Sequence, residues 1–162
     1  MSPVIILDAD FLSAFLKIQR LDLVKDFYDV EIPRVPVAVY REISLTNLLP
    51  SLTALPWIQL AIPEQGDDAG VLVPDFVGLG KGEQEAIRLA RETQGSLLLM
   101  NDLKARRIAH QLEVETVDIP AFLLSCKLVG FLGSAEIRAV VQALQEKDRY
   151  GFRKEVLARL LS

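Results

Sequence analysis

Val4-Ile5-Ile6-Leu7-Asp8-Ala9-Asp10-Phe11-Leu12 gives four consecutive apolar residues, an acid, and then a renewed apolar pattern. An unbroken apolar run of this length suits a strand buried on both faces, as in a parallel sheet. Residues 11–18 then carry helical spacing. A second stretch has the same form. Ser96-Leu97-Leu98-Leu99-Met100 runs into Asn101-Asp102 and then into helical spacing over 103–112. Working outward, further strands are expected at 35–39 (interrupted by Pro36), at 57–62 and, more weakly, at 114–117. Helices are expected at 21–28, 37–44, 82–93, 122–129, 135–146 and 153–161. Strand and helix alternate, which predicts an α/β fold with a central, mainly parallel sheet of four to five strands.

Composition agrees. The 162 residues are 51% hydrophobic and 25% charged, which excludes a disordered, collagenous or low-complexity chain. The length suits one domain over residues 1–162. Cys126 is the single cysteine, so no internal disulfide forms, and a lone thiol suits a reducing cytosol. The net charge of −4 supplies no global positive field, so a nucleic-acid site must be a local basic patch. No basic leader and no apolar run near the ~20 residues of a membrane span is visible, so a cytoplasmic protein without membrane contact is expected. Residues 65–80, with four glycines, three aspartates and Pro74, are expected to form a loop or flap beside the site.

Four acids stand out by placement. Asp8 and Asp102 each follow a buried apolar run and precede a helix. Each can serve as a helix N-cap, with Asp10 competing for that task at the first helix. Each can also face a crevice at the carboxyl ends of the strands. If the two strands are neighbours, both carboxylates face the same crevice. Glu83 shares a helical face with Ala86, Ile87 and Ala90, so it points toward the sheet. A favourable acid at a helix N-terminus explains Glu85 better than an inward Glu83. Glu42 borders the apolar face formed by Val39 and Ile43, and taken alone reads as a solvated acid.

Carboxylates without a histidine or cysteine cluster point to a hard cation, Mg²⁺ or Mn²⁺. His110 reads as a lone surface histidine and Cys126 as a small core residue. Lys104, Arg106 and Arg107 follow Asp102, with Lys81, Arg88 and Arg91 nearby in sequence. Cations beside an acidic metal site suit a phosphodiester substrate, and equally describe a solvated face.

These blocks together resemble the PIN-domain nucleases. Residues 4–12 resemble their opening strand and acid. Val37-Ala38-Val39-Tyr40-Arg41-Glu42-Ile43 resembles the helix carrying their second acid. Gly80-Lys81-Gly82-Glu83-Gln84-Glu85-Ala86-Ile87 resembles the Gly-Glu-x-x-Ala-Ile segment of a prokaryotic subgroup. Asn101-Asp102-Leu103-Lys104-Ala105-Arg106 resembles the segment after their fourth strand. The order and spacing agree along residues 3 to about 132, with the helical region 134–162 beyond the motifs. Asp10 stands where Asn or Ser is usual, Asn101 where a further acid is frequent, and Asp118-Ile119-Pro120 where Gly-Thr is usual.

The resemblance implies a three-layer α/β/α fold and metal-dependent cleavage of RNA, often as the toxin of a type II toxin–antitoxin pair. It carries Asp8, Glu42, Glu83 and Asp102 over as the acids of the site. Asp8, Glu83 and Asp102 are expected to hold the metal, with Lys104, Arg106 and Arg107 on the RNA. An antitoxin and a homodimer are implied partners. Two alternatives remain open at this point. Asp8-Ala9-Asp10 also resembles the opening of haloacid-dehalogenase-type phosphatases, in which the first aspartate attacks phosphorus. A non-catalytic PIN-like binding module is the other.

Overall fold

The computed structural model describes residues 2–30, 32–64, 76 and 78–162. Apart from Phe76 and residues 78–80, the expected flap at 65–80 lies outside the described residues. In chain order the elements are β1 (Val4–Leu7), α1 (Ala9–Lys17), α2 (Asp22–Tyr28), β2 (Arg34–Pro36), α3 (Val37–Ser44), α4 (Leu49–Thr53) and β3 (Gln59–Ala61). Next come α5 (Lys81–Glu92), β4 (Ser96–Leu99), α6 (Leu103–Gln111), β5 (Thr116–Val117) and α7 (Ile119–Leu128). The chain continues through α8 (Ser134–Ala143), a π-helical turn (Leu144–Asp148) and α9 (Lys154–Leu161).

The strands form one five-stranded sheet in the order β3-β2-β1-β4-β5, with every pairing parallel. In the centre Leu7 lies opposite Leu99. The apolar runs serve both faces. Ile5, Leu7 and Leu99 join the core under α1, α2, α7, α8 and α9. Ile6, Leu98 and Met100 join a second core under α5 and α6. This is the three-layer α/β/α arrangement, and it explains why neither run alternates with polar residues. Phe11 stacks on Phe15 at 5.0 Å, and Phe122 meets both edge-on, which ties α1 to α7.

Boundaries moved where backbone chemistry decided them. The strand expected at 35–39 stops at Pro36, which has no N–H to continue a ladder, and α3 begins at once. The strand expected at 57–62 narrows to Gln59–Ala61 at the sheet edge. Helix α1 starts at Ala9, which makes Asp8 its N-cap residue in place of Asp10. Helix α4 was not expected; Pro50 in its first turn costs nothing where N–H groups have no helical partner. Among the described residues no helix is long and apolar enough to cross a membrane.

Candidate active site

The chain builds the sheet outward from β1 to β2 and β3, then returns to place β4 on the other flank of β1. In open parallel sheets such a reversal leaves a crevice at the carboxyl ends of the strands. Asp8 stands at its floor. Its N–H extends the ladder by donating to the Leu99 carbonyl at 3.0 Å. Asp102 begins α6 just beyond β4. The two apolar runs are therefore neighbours, as a shared crevice requires.

Asp8 has helix-capping backbone angles, φ −86° and ψ 163°, yet its side chain makes no capping hydrogen bond. Its residue exposure is 1%, and among the described residues its Oδ1 has no hydrogen-bond partner. Burial pushes its pKa up to about 7; the Ala9 N–H works against this, and the charges of Asp10, Glu83 and Glu42 add to it. An unpaired buried carboxyl oxygen is costly, on the order of 1–3 kcal/mol, so native structures rarely leave one.

Glu83 is raised too, first by burial and then by Asp102, Asp10 and Glu42, against a stabilising backbone bond. That bond runs from the Gly80 N–H to Glu83 Oε1 at 3.0 Å. Capping therefore does account for part of Glu83, which corrects the expectation that it would not. Asp102 caps α6 by accepting from the Ala105 N–H at 2.8 Å. Glu42 Oε1 accepts from the Gly82 N–H at 3.2 Å. Asp8 thus lies within electrostatic reach of Glu83 and Glu42, and Glu83 links that group to Asp102, with Asp10 exposed at the rim. Burial is also the main reason why the pKa of Asp10 is raised, followed by Asp102 and Asp148, with Lys17 opposing.

Glu85 has a different role from the one expected. Its Oε1 accepts from the Ala38 N–H at 2.9 Å, so it caps α3 and not its own helix. Helices α3 and α5 are therefore cross-tied: Glu42 of α3 holds the start of α5, and Glu85 of α5 holds the start of α3. Gly82 makes this approach possible. A Cβ there would collide with the Glu42 carboxylate, would lie 3.1 Å from its Cδ and would sit 3.3 Å from Val39 Cγ2. Sequence reading missed Glu85 because its partner lies 47 residues away.

The cations divide. Arg106 is half-buried and spent: Nη1 pairs with Asp118 Oδ2 at 2.8 Å, and Nε donates to Thr116 Oγ1 at 3.4 Å. The Lys104 ammonium lies against Gly78, whose φ of +91° favours glycine. Arg107 is exposed. Asp118 caps α7 through the Ala121 N–H at 2.9 Å, and Asn101 Oδ1 accepts from the Ile119 N–H at 3.0 Å. Two of the three departures from the PIN pattern, Asn101 and Asp118, thus tie down α7. His110 is exposed, whereas Cys126 is buried in the core, and burial pushes its thiol up to about 12.

Among the described residues no three acids close into a finished cation cage. Three carboxylates each turn one oxygen to a backbone amide. The donor set still fits a hard cation. It is all carboxylate oxygen, and the buried Asp8 Oδ1 faces no protein donor.

Comparison with curated proteins and with solved structures gives no significant match. A family model described as a PIN domain matches residues 4–162, which takes in the three C-terminal helices as well as the acidic crevice. PIN domains are generally nucleases, typically use divalent metals and generally bind nucleic acid. With the parallel sheet, its central reversal and the acids at its carboxyl edge, that match assigns the family: this chain belongs to the PIN-domain family.

Proposed function

We propose that this chain is a metal-dependent endoribonuclease. Asp8, Glu83 and Asp102 would hold Mg²⁺ or Mn²⁺, with Glu42 beside them. The observation that carries the reading is the buried Asp8 oxygen without a partner, set among three further carboxylates. A bound divalent cation would lower the pKa of water and offset charge on the phosphodiester.

The chain's own residues do the positioning. Asp8 presents a carboxyl group fixed by the β1–β4 ladder and shielded from water. Glu42, Glu83 and Asp102 are each held by one backbone N–H, which leaves the second oxygen of each for a ligand. Lys104 and Arg107 supply charge for phosphate oxygens, whereas Arg106 contributes potential but keeps Nη1 on Asp118 and Nε on Thr116. A toxin role, with an antitoxin closing the acidic crevice, and a homodimer belong to this reading through the resemblance alone.

The phosphatase alternative asks Asp8 to attack phosphorus as an anion. That scheme gives Glu42 and Glu83 no work, although both lie within electrostatic reach of Asp8. The binding-module alternative leaves the convergence of four acids unexplained. The deciding experiment is cleavage of a mixed RNA pool with Mg²⁺ or Mn²⁺, beside Asp8→Asn and EDTA controls. Cleavage lost in both controls supports the assignment. Normal cutting by Asp8→Asn overturns it.

A further inference from the structure

Lys147-Asp148-Arg149-Tyr150-Gly151-Phe152-Arg153-Lys154 joins the π-helical turn to α9. Half of these eight residues are Lys or Arg, in a chain with 18 such residues among 162. Lys147, Arg149, Arg153 and Lys154 are all exposed. Among the described residues none of the four has an ion-pair or hydrogen-bond partner through its side chain. The single acid inside the stretch, Asp148, is neutralised by Lys17 at 2.8 Å. Glu146, which accepts from Gln142 Nε2, and Glu155 bound the strip on either side.

Two rings interleave with these cations. Tyr150 and Phe152 meet edge-to-face with centroids 4.7 Å apart, and each residue is half-buried. Their inner sides pack on the core beneath the sheet. Arg149 holds a left-handed φ of 56°, and the Tyr150 N–H returns to the Leu144 carbonyl at 3.1 Å, so the turn is fixed. π-helical turns of this kind often mark functional segments.

The strip lies by the acidic crevice. The π-helical turn runs along α1, which starts at Asp8, and Asp148 lies within electrostatic reach of Asp10 at the rim. The Tyr150 phenol lies beside the Arg106–Asp118 pair at the start of α7, just beyond β5. With Arg106 committed to Asp118, these exposed cations add to the charge that Lys104 and Arg107 supply from α6.

We propose that residues 147–154 form a binding strip for single-stranded RNA, with the four cations on its phosphates and Tyr150 and Phe152 against its bases. Cations alone would suit any polyanion. Aromatic faces between them suit unstacked bases, because each base offers a π-face to stack on. The identity of the ligand as RNA rests on the nuclease reading above; the strip's geometry does not.

The test uses the full chain in EDTA, so that binding is read without metal-dependent cleavage. The probe is a labelled 12-nucleotide oligoadenylate, followed by fluorescence anisotropy across a salt series. Arg149→Ala with Arg153→Ala and Lys154→Ala should weaken binding at least about tenfold and reduce the log–log salt slope by about 2, since each phosphate contact on a single strand contributes about 0.7. Tyr150→Leu and Phe152→Leu should each weaken binding about tenfold. Tyr150→Phe, which keeps the ring, should bind as the wild type. Arg91→Ala with Arg138→Ala, cations away from the crevice, should change nothing.

Unchanged affinity in the cation triple overturns the strip and leaves the nuclease reading standing. Absence of RNA cleavage by the wild type, with all these binding losses present, removes the nuclease reading and keeps the strip. An oligoglutamate peptide that binds more tightly than the RNA, and ignores the ring substitutions, makes this a dock for an acidic protein segment and overturns the proposal. Melting temperatures of every variant separate lost binding from lost fold. If the ring variants unfold, the cation triple still decides.

Discussion

The β1–α1 corner and the β5–α7 corner follow one plan: a strand, an aspartate, a helix. At the second, both oxygens of Asp118 are committed, Oδ1 to the Ala121 N–H and Oδ2 to Arg106. At the first, Asp8 is buried with one oxygen unpartnered and no capping bond. Asp102, at the β4–α6 corner between them, is intermediate, with one oxygen on the Ala105 N–H. The same residue in the same local position is a structural cap at one edge of the sheet and a buried carboxylate with an open oxygen at its centre. What differs is whether the fold supplies a donor.

The largest effect should come from Asp8. Asp8→Ala should lower metal-dependent RNA cleavage more than about 100-fold, beyond the loss usual for residues behind a metal ligand, while circular dichroism stays native. The matching Asp118→Ala should keep cleavage within a few-fold. Equal losses at the two corners would end the distinction between them.

Next is pH. Asp8 titrates near 3.8 when unfolded and at about 7 when folded, so between these values only the folded chain keeps the proton. Metal-free stability from this group is therefore full below about pH 4 and falls as pH rises to about 7, by about 4 kcal/mol. Urea titrations across this window should show the decline in wild type and a flatter profile in Asp8→Asn. A rise in wild-type stability over the same range would contradict the burial argument. Mn²⁺ or Mg²⁺ should oppose the decline, because a cation that binds only the folded chain stabilises it by mass action.

Asp118→Ala should cost about 1–2 kcal/mol in urea unfolding, the usual value of a lost N-cap. Smallest is the cross-tie. Glu85→Ala should cost about 1 kcal/mol by uncapping α3, and Glu85→Gln, which keeps an accepting oxygen, should recover most of it. A glutamine variant as weak as the alanine one would show that the carboxylate charge, not the hydrogen bond, matters there.

The fold was largely legible because its signals are local. The apolar runs ending in Leu7 and Met100 leave no exposed face, which only a covered parallel strand satisfies. Pro36 and Pro50 moved boundaries that hydrophobic pattern alone misplaced. The acids were legible as positions, since a carboxylate after a buried strand needs a reason. Glu83 was half-legible: its inward face was read correctly, its bond to Gly80 was not. The roles of Glu85 at Ala38 and of Arg106 at Asp118 were not legible, because those partners are distant in sequence. The basic and aromatic run at 147–154 was visible in the sequence and passed over, because its place beside α1 and the β5–α7 corner was not.

By itself the sequence determined most of the elements, that strand and helix alternate about a parallel sheet, and which acids stand at strand and helix starts. Those properties follow from burial of periodic apolar surface, a nearest-neighbour matter. Only the tertiary structure decided which of those carboxylates still has an open oxygen. That depends on donors brought in from other elements, such as the Gly82 N–H for Glu42 and Arg106 for Asp118, and on their absence at Asp8.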